Sequence, residues 1–198
     1  MNAAVSLRAA APADAPAIHR LIMDNVDVGH LLPRTLDDIR RHVSRFVVAV
    51  SSSHGDIVGC AELAPLSDSV AEVRSLVVDA AFRGRRIGPG LVTEIASSAT
   101  SGGYSTLCAF SHEPAHFVRM GFTIVPHIWV PEKIAHDCTS CSLFRRCGQQ
   151  AVSLPLRAGI SMGPERPAAI IHGSRSSGTR RLPLRPVTVD ELTEAVPA

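Results

Sequence analysis

The sequence predicts an α/β (α+β) fold, a mixed and mostly antiparallel sheet flanked by helices and followed by a C-terminal tail. Three observations predict it. β-branched runs crowd between residues 46 and 78 with only turn-length gaps, so neighbouring strands there pair antiparallel. Apolar residues recur at helical spacing on either side of that block. From about Leu154 onward Pro, Gly, Ser and Arg replace the periodic pattern. The 198 residues therefore divide into one cored domain over 1–153 and a Pro/Gly/Arg-rich tail over 154–198, expected to be largely disordered.

The elements follow in order. Val5 to Arg8 reads as a short strand, and "ADAPAIHRLIMDNV" as the first helix. Asp14 is its expected cap, Pro16 fits the first turn, and Ile18, Leu21, Ile22 and Val26 share one face. In "TLDDIRRHVSRF", Thr35 and Asp38 resemble a capping box ahead of the stripe Leu36, Ile39 and Val43. "FVVAV", the turn "SSSHGD" and "IVGCAEL" form a hairpin, and "AEVRSLVV" adds the next strand. After the loop "FRGRRIGPG", "GLVTEIASSA" is helical, "STLCAF" is a short buried strand, "PAHFVRM" a short helix and "GFTIVP" the closing strand. Gly121 suits the left-handed end of that short helix.

Composition narrows the function. A net charge of +2 is too small to make nucleic acid or an anionic membrane the partner. No apolar run approaches the roughly 18 residues of a membrane span, and Arg8 and Asp14 interrupt the Ala-rich start before a signal-like core develops. Five cysteines, an odd number, do not suit a paired secreted framework, so a cytoplasmic chain with reduced thiols is expected.

The loop "FRGRRIGPG" stands between a strand and a helix. Unpaired amides and a partial positive charge at a helix N-terminus suit a phosphate, and glycine lets the backbone approach it closely. A solvated basic turn is the plainer reading of the same residues.

The element order, with "EVRSLVVDAAFRGRRIG" before the helix and "FVRMGF" near the end, resembles the GNAT superfamily of acetyltransferases over roughly residues 5 to 150. Within it, "LLPRTLDDIRRHV", "GCAELAPLSDSVAEVRSLVVD", "HEPAHFVRMGF" and "VPEKIAHDCTSC" are similar to the short, single-domain amino-acid N-acetyltransferases, the N-acetylglutamate synthases of arginine biosynthesis. The resemblance implies acetyl-CoA as cosubstrate, a small amino-acid acceptor, L-glutamate first, and no nucleic-acid or membrane partner. A homodimer is compatible with it. A non-catalytic acyl-CoA-binding domain and an acetyltransferase for another small amine are the competing readings.

It also implies a site. Arg83, Gly84, Arg85, Arg86, Ile87 and Gly88 would hold the cofactor's pyrophosphate, with the backbone of Leu76, Val77 and Val78 beside the thioester. Two positions depart from the family loop: Arg86 replaces a glycine, and Pro89 removes an amide. Arginine at 86 would supply charge to the phosphates, provided its φ stays negative.

Acetyl transfer to an amine also needs a polarised carbonyl and a route for the departing proton. Glu72 is the first candidate base and Glu113 the second, against readings as a surface carboxylate and a helix-entry residue. The family's tyrosine acid has no equivalent here, since Phe117 stands near its position, and Tyr104 reads as a packing residue. Arg34 and Arg74 are candidates to grip an acceptor carboxylate, with Ser111 beside them and Lys133 as a weaker option. No metal is expected; His136, Cys138, Cys141 and Cys147 have zinc-ligand chemistry, but free thiols are the preferred reading.

Overall fold

A computed structural model describes residues 4–26 and 31–157. Its sheet has seven strands in the order β1-β2-β3-β4-β5-β7-β6. They are β1 (Val5–Ala9), β2 (Phe46–Ser51), β3 (Ile57–Pro65), β4 (Val70–Val78), β5 (Thr106–Ser111), β6 (Thr123–Val125) and β7 (Gln150–Pro155). Every pairing is antiparallel except β4 with β5. The helices are α1 (Ala15–Met23), α2 (Leu36–His42), α3 (Ile87–Ser101), α4 (Ala115–Val118) and α5 (Pro131–His136).

Strand β2 shows how the sheet carries helices on both faces. Phe46 and Val48 point into a core with Ile18 and Ile22 of α1 and Ile39 of α2. Val47 and Ala49 point the other way, into a core with Leu91, Val92 and Ile95 of α3. This is the two-residue alternation of a strand buried on both faces. α3 lies so close to β3 that a Cβ on Gly59 would stand 3.3 Å from Ala49 Cβ, Ile87 Cγ2 and Leu91 Cδ1.

Local chemistry agrees with the expected helix signals at Thr35 and Gly121 but not at Asp14, and the expected capping box keeps only its Thr35 half, because the Asp38 carboxylate pairs with Arg34. Thr35 Oγ1 accepts from the Asp38 amide at 3.2 Å, capping α2, and Gly121 takes the left-handed conformation, φ 93°. Asp14 does not cap α1. A 3-10 turn over Pro12–Asp14 runs directly into the helix, so Asp14 is already helical, and its carboxylate turns back to Arg8 at 2.6 Å and the Ala11 amide at 2.7 Å.

The last strand is the main correction. β7 was not expected, yet it inserts between β5 and β6, with Ala151 and Val152 fully buried. It continues to Pro155, and the Leu156 amide donates to Ser105 O at 2.8 Å, so the cored domain passes the expected boundary at 153. The tail beyond residue 157 lies outside the described residues.

Candidate active site

The site arises where the sheet opens. β4 and β5 pair only over Val70–Thr106, Ala71–Leu107 and Glu72–Cys108, after which β4 continues alone to Val78 while β5 stays paired with β7 on its other side. Unpairing parallel strands leaves a wedge at their C-terminal ends, the usual place for a ligand in such a sheet. A cleft of about 1660 Å³ occupies it, reaching from the N-terminus of α3 to Lys133 and Asp137.

One wall is an irregular stretch of β4. The register passes from Cys60–Val77 to Glu62–Arg74, so β4 carries an extra residue opposite Ala61, and Ser75 adopts φ 52°. A bulge leaves backbone groups out of the ladder, and Ser75, Leu76, Val77 and Val78 line the cleft.

At one end stands the Gly/Arg loop. Gly84 and Arg86 both have positive φ, 78° and 61°, and Arg86 is the residue from which α3 starts. The expectation of a negative φ at Arg86 is therefore wrong: the chain keeps the left-handed turn that glycine would take, with an arginine in it. The Gly90 amide donates to Arg86 O at 3.1 Å. Pro89 has no N–H, which leaves the amides of Ile87 and Gly88 as the first-turn donors without an intrahelical acceptor. Arg83, although exposed, is committed to protein partners, donating to Val78 O at 3.1 Å and Asn25 Oδ1 at 2.8 Å. Arg85 donates to Ala81 O and lies 4.8 Å over the Phe82 ring. Arg86 is exposed. His116 flanks the loop, its Nε2 3.4 Å from where a Gly88 Cβ would stand; burial, then Arg119, lowers its pKa.

At the other end lie two ion-pair groups. Glu72, on β4 and 3% exposed, is no surface carboxylate. It accepts from Arg74 at 2.6 and 3.0 Å and, with both oxygens, from Lys133 at 2.7 and 2.8 Å. Asp137 Oδ2 joins the same two cations, 2.5 Å from Arg74 and 2.8 Å from Lys133. Burial alone would raise the Asp137 pKa, but Lys133, His136 and Arg74 outweigh it and bring it to about 2. Burial likewise pulls Arg74 down, and Glu72 and Asp137 more than reverse the shift.

The second group is centred on Glu62, 1% exposed on β3. Its Oε2 accepts from Arg34 at 2.8 Å, while Arg34 also donates to Asp38 at 2.6 Å and Ser75 Oγ at 3.0 Å. Arg34 and Arg74 therefore both line the cleft, each already paired with protein carboxylates.

The remaining candidates divide. Ser111 lines the cleft, and its Oγ accepts from the Glu113 amide at 3.0 Å, a helix-entry contact; Glu113 itself is exposed on the rim. Phe117 is buried against Phe122, and Tyr104 packs on the α3 core. His136, Cys138, Cys141 and Cys147 do not gather into a ligand set, and no metal-holding group of three or more His, Cys, Asp or Glu occurs among the described residues.

Sequence reasoning missed Glu62 and Asp137. For Glu62 a signal was available, an acid inside the apolar run "IVGCAEL". Asp137 offered only its i,i+4 spacing from Lys133, since its other partner, Arg74, is 63 positions away.

Known proteins share this architecture. A family model for the GNAT acetyltransferases matches residues 16–122. An uncharacterized N-acetyltransferase of Chlorobaculum tepidum is 32% identical over 146 residues, 74% of this chain and 93% of the relative. An amino-acid acetyltransferase of Mycobacterium tuberculosis is 31% identical over 118 residues, covering 59% of this chain and 67% of that one. The structure of N-acetylglutamate synthase from Neisseria gonorrhoeae, complexed with coenzyme A and N-acetyl-glutamate, superposes with a TM-score of 0.67 at 26% identity; the match covers 79% of this chain and 36% of that one. A family model spanning more than half the chain, on a sheet that opens between β4 and β5 beside the N-terminus of α3, makes this protein a member of the GNAT acetyltransferase family.

Proposed function

We propose that the protein transfers the acetyl group of acetyl-CoA to the amino group of a free amino acid, L-glutamate first, as in the opening step of arginine biosynthesis. The observation that carries this reading is one continuous cleft joining an anion-binding helix N-terminus to a group of three cationic side chains, Arg34, Arg74 and Lys133. The amino-acid acetyltransferases among the relatives, and the N-acetyl-glutamate held by the Neisseria structure, support the acceptor class.

The cradle fits the cofactor. The left-handed turn at Arg86 and the amides of Ile87 and Gly88 would hold its pyrophosphate, and the cleft beside β4 would take the arm that carries the thioester. Bound acetyl-CoA supplies an activated acetyl group. The protein's own work is to orient the amine, hold the acceptor's carboxylates and accept a proton.

Hydrogen-bond load separates the two buried carboxylates. Glu72 accepts four contacts from two cations and acts as the anchor of Arg74 and Lys133. Glu62 accepts from Arg34 alone among the contacts seen, so it is better placed to take the proton of the incoming ammonium, directly or through water. Arg34 then serves Glu62, and Arg74 with Lys133 faces the acceptor's carboxylate.

Thiol release from acetyl-CoA against a panel of amino acids and amines tests the reading. L-Glutamate should give the highest kcat/KM, and Glu62→Gln should lower kcat by roughly 100-fold while leaving CoA affinity intact. Turnover only with non-amino-acid amines would reject the acceptor class. CoA binding without turnover on any acceptor would leave a non-catalytic acyl-CoA-binding domain.

A further inference from the structure

The carboxylate that most exposes its side chain in the Glu72 group is also the one held on the least anchored segment. Glu72 sits within β4 with a side chain 4% exposed, whereas that of Asp137 is 31% exposed at the end of α5. α5 and the two 3-10 turns that follow it, Cys138–Ser140 and Phe144–Arg146, contain no buried residue. Segments with few buried apolar contacts open at low free-energy cost. Asp137 is held by the two cations it neutralises and, at Oδ1, by its neighbour His136 at 2.8 Å.

We propose that Asp137 is a specificity-determining residue: its carboxylate occupies the Arg74–Lys133 receptor in the free protein, and the acceptor's carboxylate binds by displacing it. This rests on the amino-acid reading given above. Charge balance requires the exchange. Glu72, Asp137, Arg74 and Lys133 form two anions against two cations in a mostly buried group. A third carboxylate added beside them would be an uncompensated charge in a largely desolvated group, which is strongly unfavourable. One carboxylate replacing another keeps the balance and preserves the charge-assisted bonds from Arg74 and Lys133. Glu72 cannot leave, because the strand holds it; Asp137 can turn to solvent. The contact thus sets a threshold. A ligand without a carboxylate gives Arg74 and Lys133 no replacement for Asp137, whereas a carboxylate-bearing acceptor does.

The test uses glutarate, a dicarboxylate with no amine, titrated calorimetrically into the full chain. Asp137→Asn and Asp137→Ser should each bind glutarate about tenfold more tightly than the unchanged protein, since a competing anion is gone. Asp137→Glu, which restores a carboxylate, should return toward the original weak binding. A gain in affinity is not what a damaged fold produces, so unfolding cannot imitate this result. Unchanged or weaker glutarate binding in both the Asn and Ser proteins would overturn the proposal. So would an equal gain from Glu113→Gln, because neutralising a rim carboxylate without contact to the pair would show that the general field of the cleft is responsible. The two readings fail separately. A tenfold gain without glutamate turnover sinks the acceptor assignment and keeps the displacement; glutamate turnover without a gain does the reverse.

Discussion

Arg86 holds φ 61° and ψ 17°, a conformation in which an L-residue crowds its Cβ against the backbone at a cost of roughly 1–2 kcal/mol. The same turn carries Ile87 and Gly88 to the cleft wall, so the strain sits at the proposed cradle. Arg86→Gly should raise stability by about 1 kcal/mol, read as a higher urea midpoint at unchanged slope. Its effect on CoA should be smaller than tenfold, or about 1.4 kcal/mol, with weaker salt dependence because an exposed charge near the phosphates is lost. A fall in stability would show that the side chain makes up the strain elsewhere. Arg74 differs in kind, since its loss leaves Lys133 as the one cation shared by Glu72 and Asp137. Arg74→Ala should raise the KM for glutamate and also lower stability, with CoA affinity nearly unchanged; equal loss of CoA binding would remove Arg74 from the acceptor side.

At the scale of elements, β7 and the contact between α3 and β3 decide the sheet. β7 is bonded along both edges, to β5 over Thr106–Ser111 and to β6 over Thr123–Val125. A chain ending at Gly148 would lose that central strand and should not fold cooperatively, as circular dichroism and thermal melting would show. At Gly59 the space for a Cβ is bounded by three side-chain carbons at 3.3 Å, so Gly59→Ala should destabilise by about 1–3 kcal/mol through overpacking. Periodicity made most elements legible, because α1, α2 and the β2–β3 hairpin carry their own apolar stripes and turn residues. β7 was not legible. "QAVSLP" is a six-residue run with a single alternating stripe, set among charged and polar residues, and nothing local separates a central strand from a linker.

Across the molecule, ion-paired carboxylates in and outside the cleft tie stability to acid pH. Asp137 has its pKa held at about 2, and Asp14 and Asp38 are also lowered, Asp14 chiefly by Arg8, Asp38 by Arg34 against the opposing effect of burial. A depressed carboxylate contributes fully above its unfolded value, about 4, and loses that contribution as pH falls through its folded value. Urea midpoints should therefore fall between about pH 4 and pH 2, and Asp137→Asn should flatten part of that fall. An identical acid profile for the variant would show that the Asp137 pairs carry little net stability. Among the described residues no helix is long and apolar enough to cross a membrane.

The sequence by itself determined the elements that depend on neighbours in the chain: the amphipathic stripes, the Thr35 cap, the antiparallel hairpin and the Gly/Arg loop ahead of a helix. Together with the resemblance of its motifs, these placed the chain in its family. Only the tertiary structure decided which charges meet. Glu72 and Arg74 are two residues apart, but Lys133 and Asp137 arrive from more than 60 positions away, and Arg34 reaches Glu62 across 28. Coulomb pairing depends on distance in space, and the parting of β4 from β5 sets that distance by bringing the α5 segment over the open edge. Glu72, expected from the sequence as a base, is there tied to Arg74 and Lys133, while Glu62 on β3 meets Arg34.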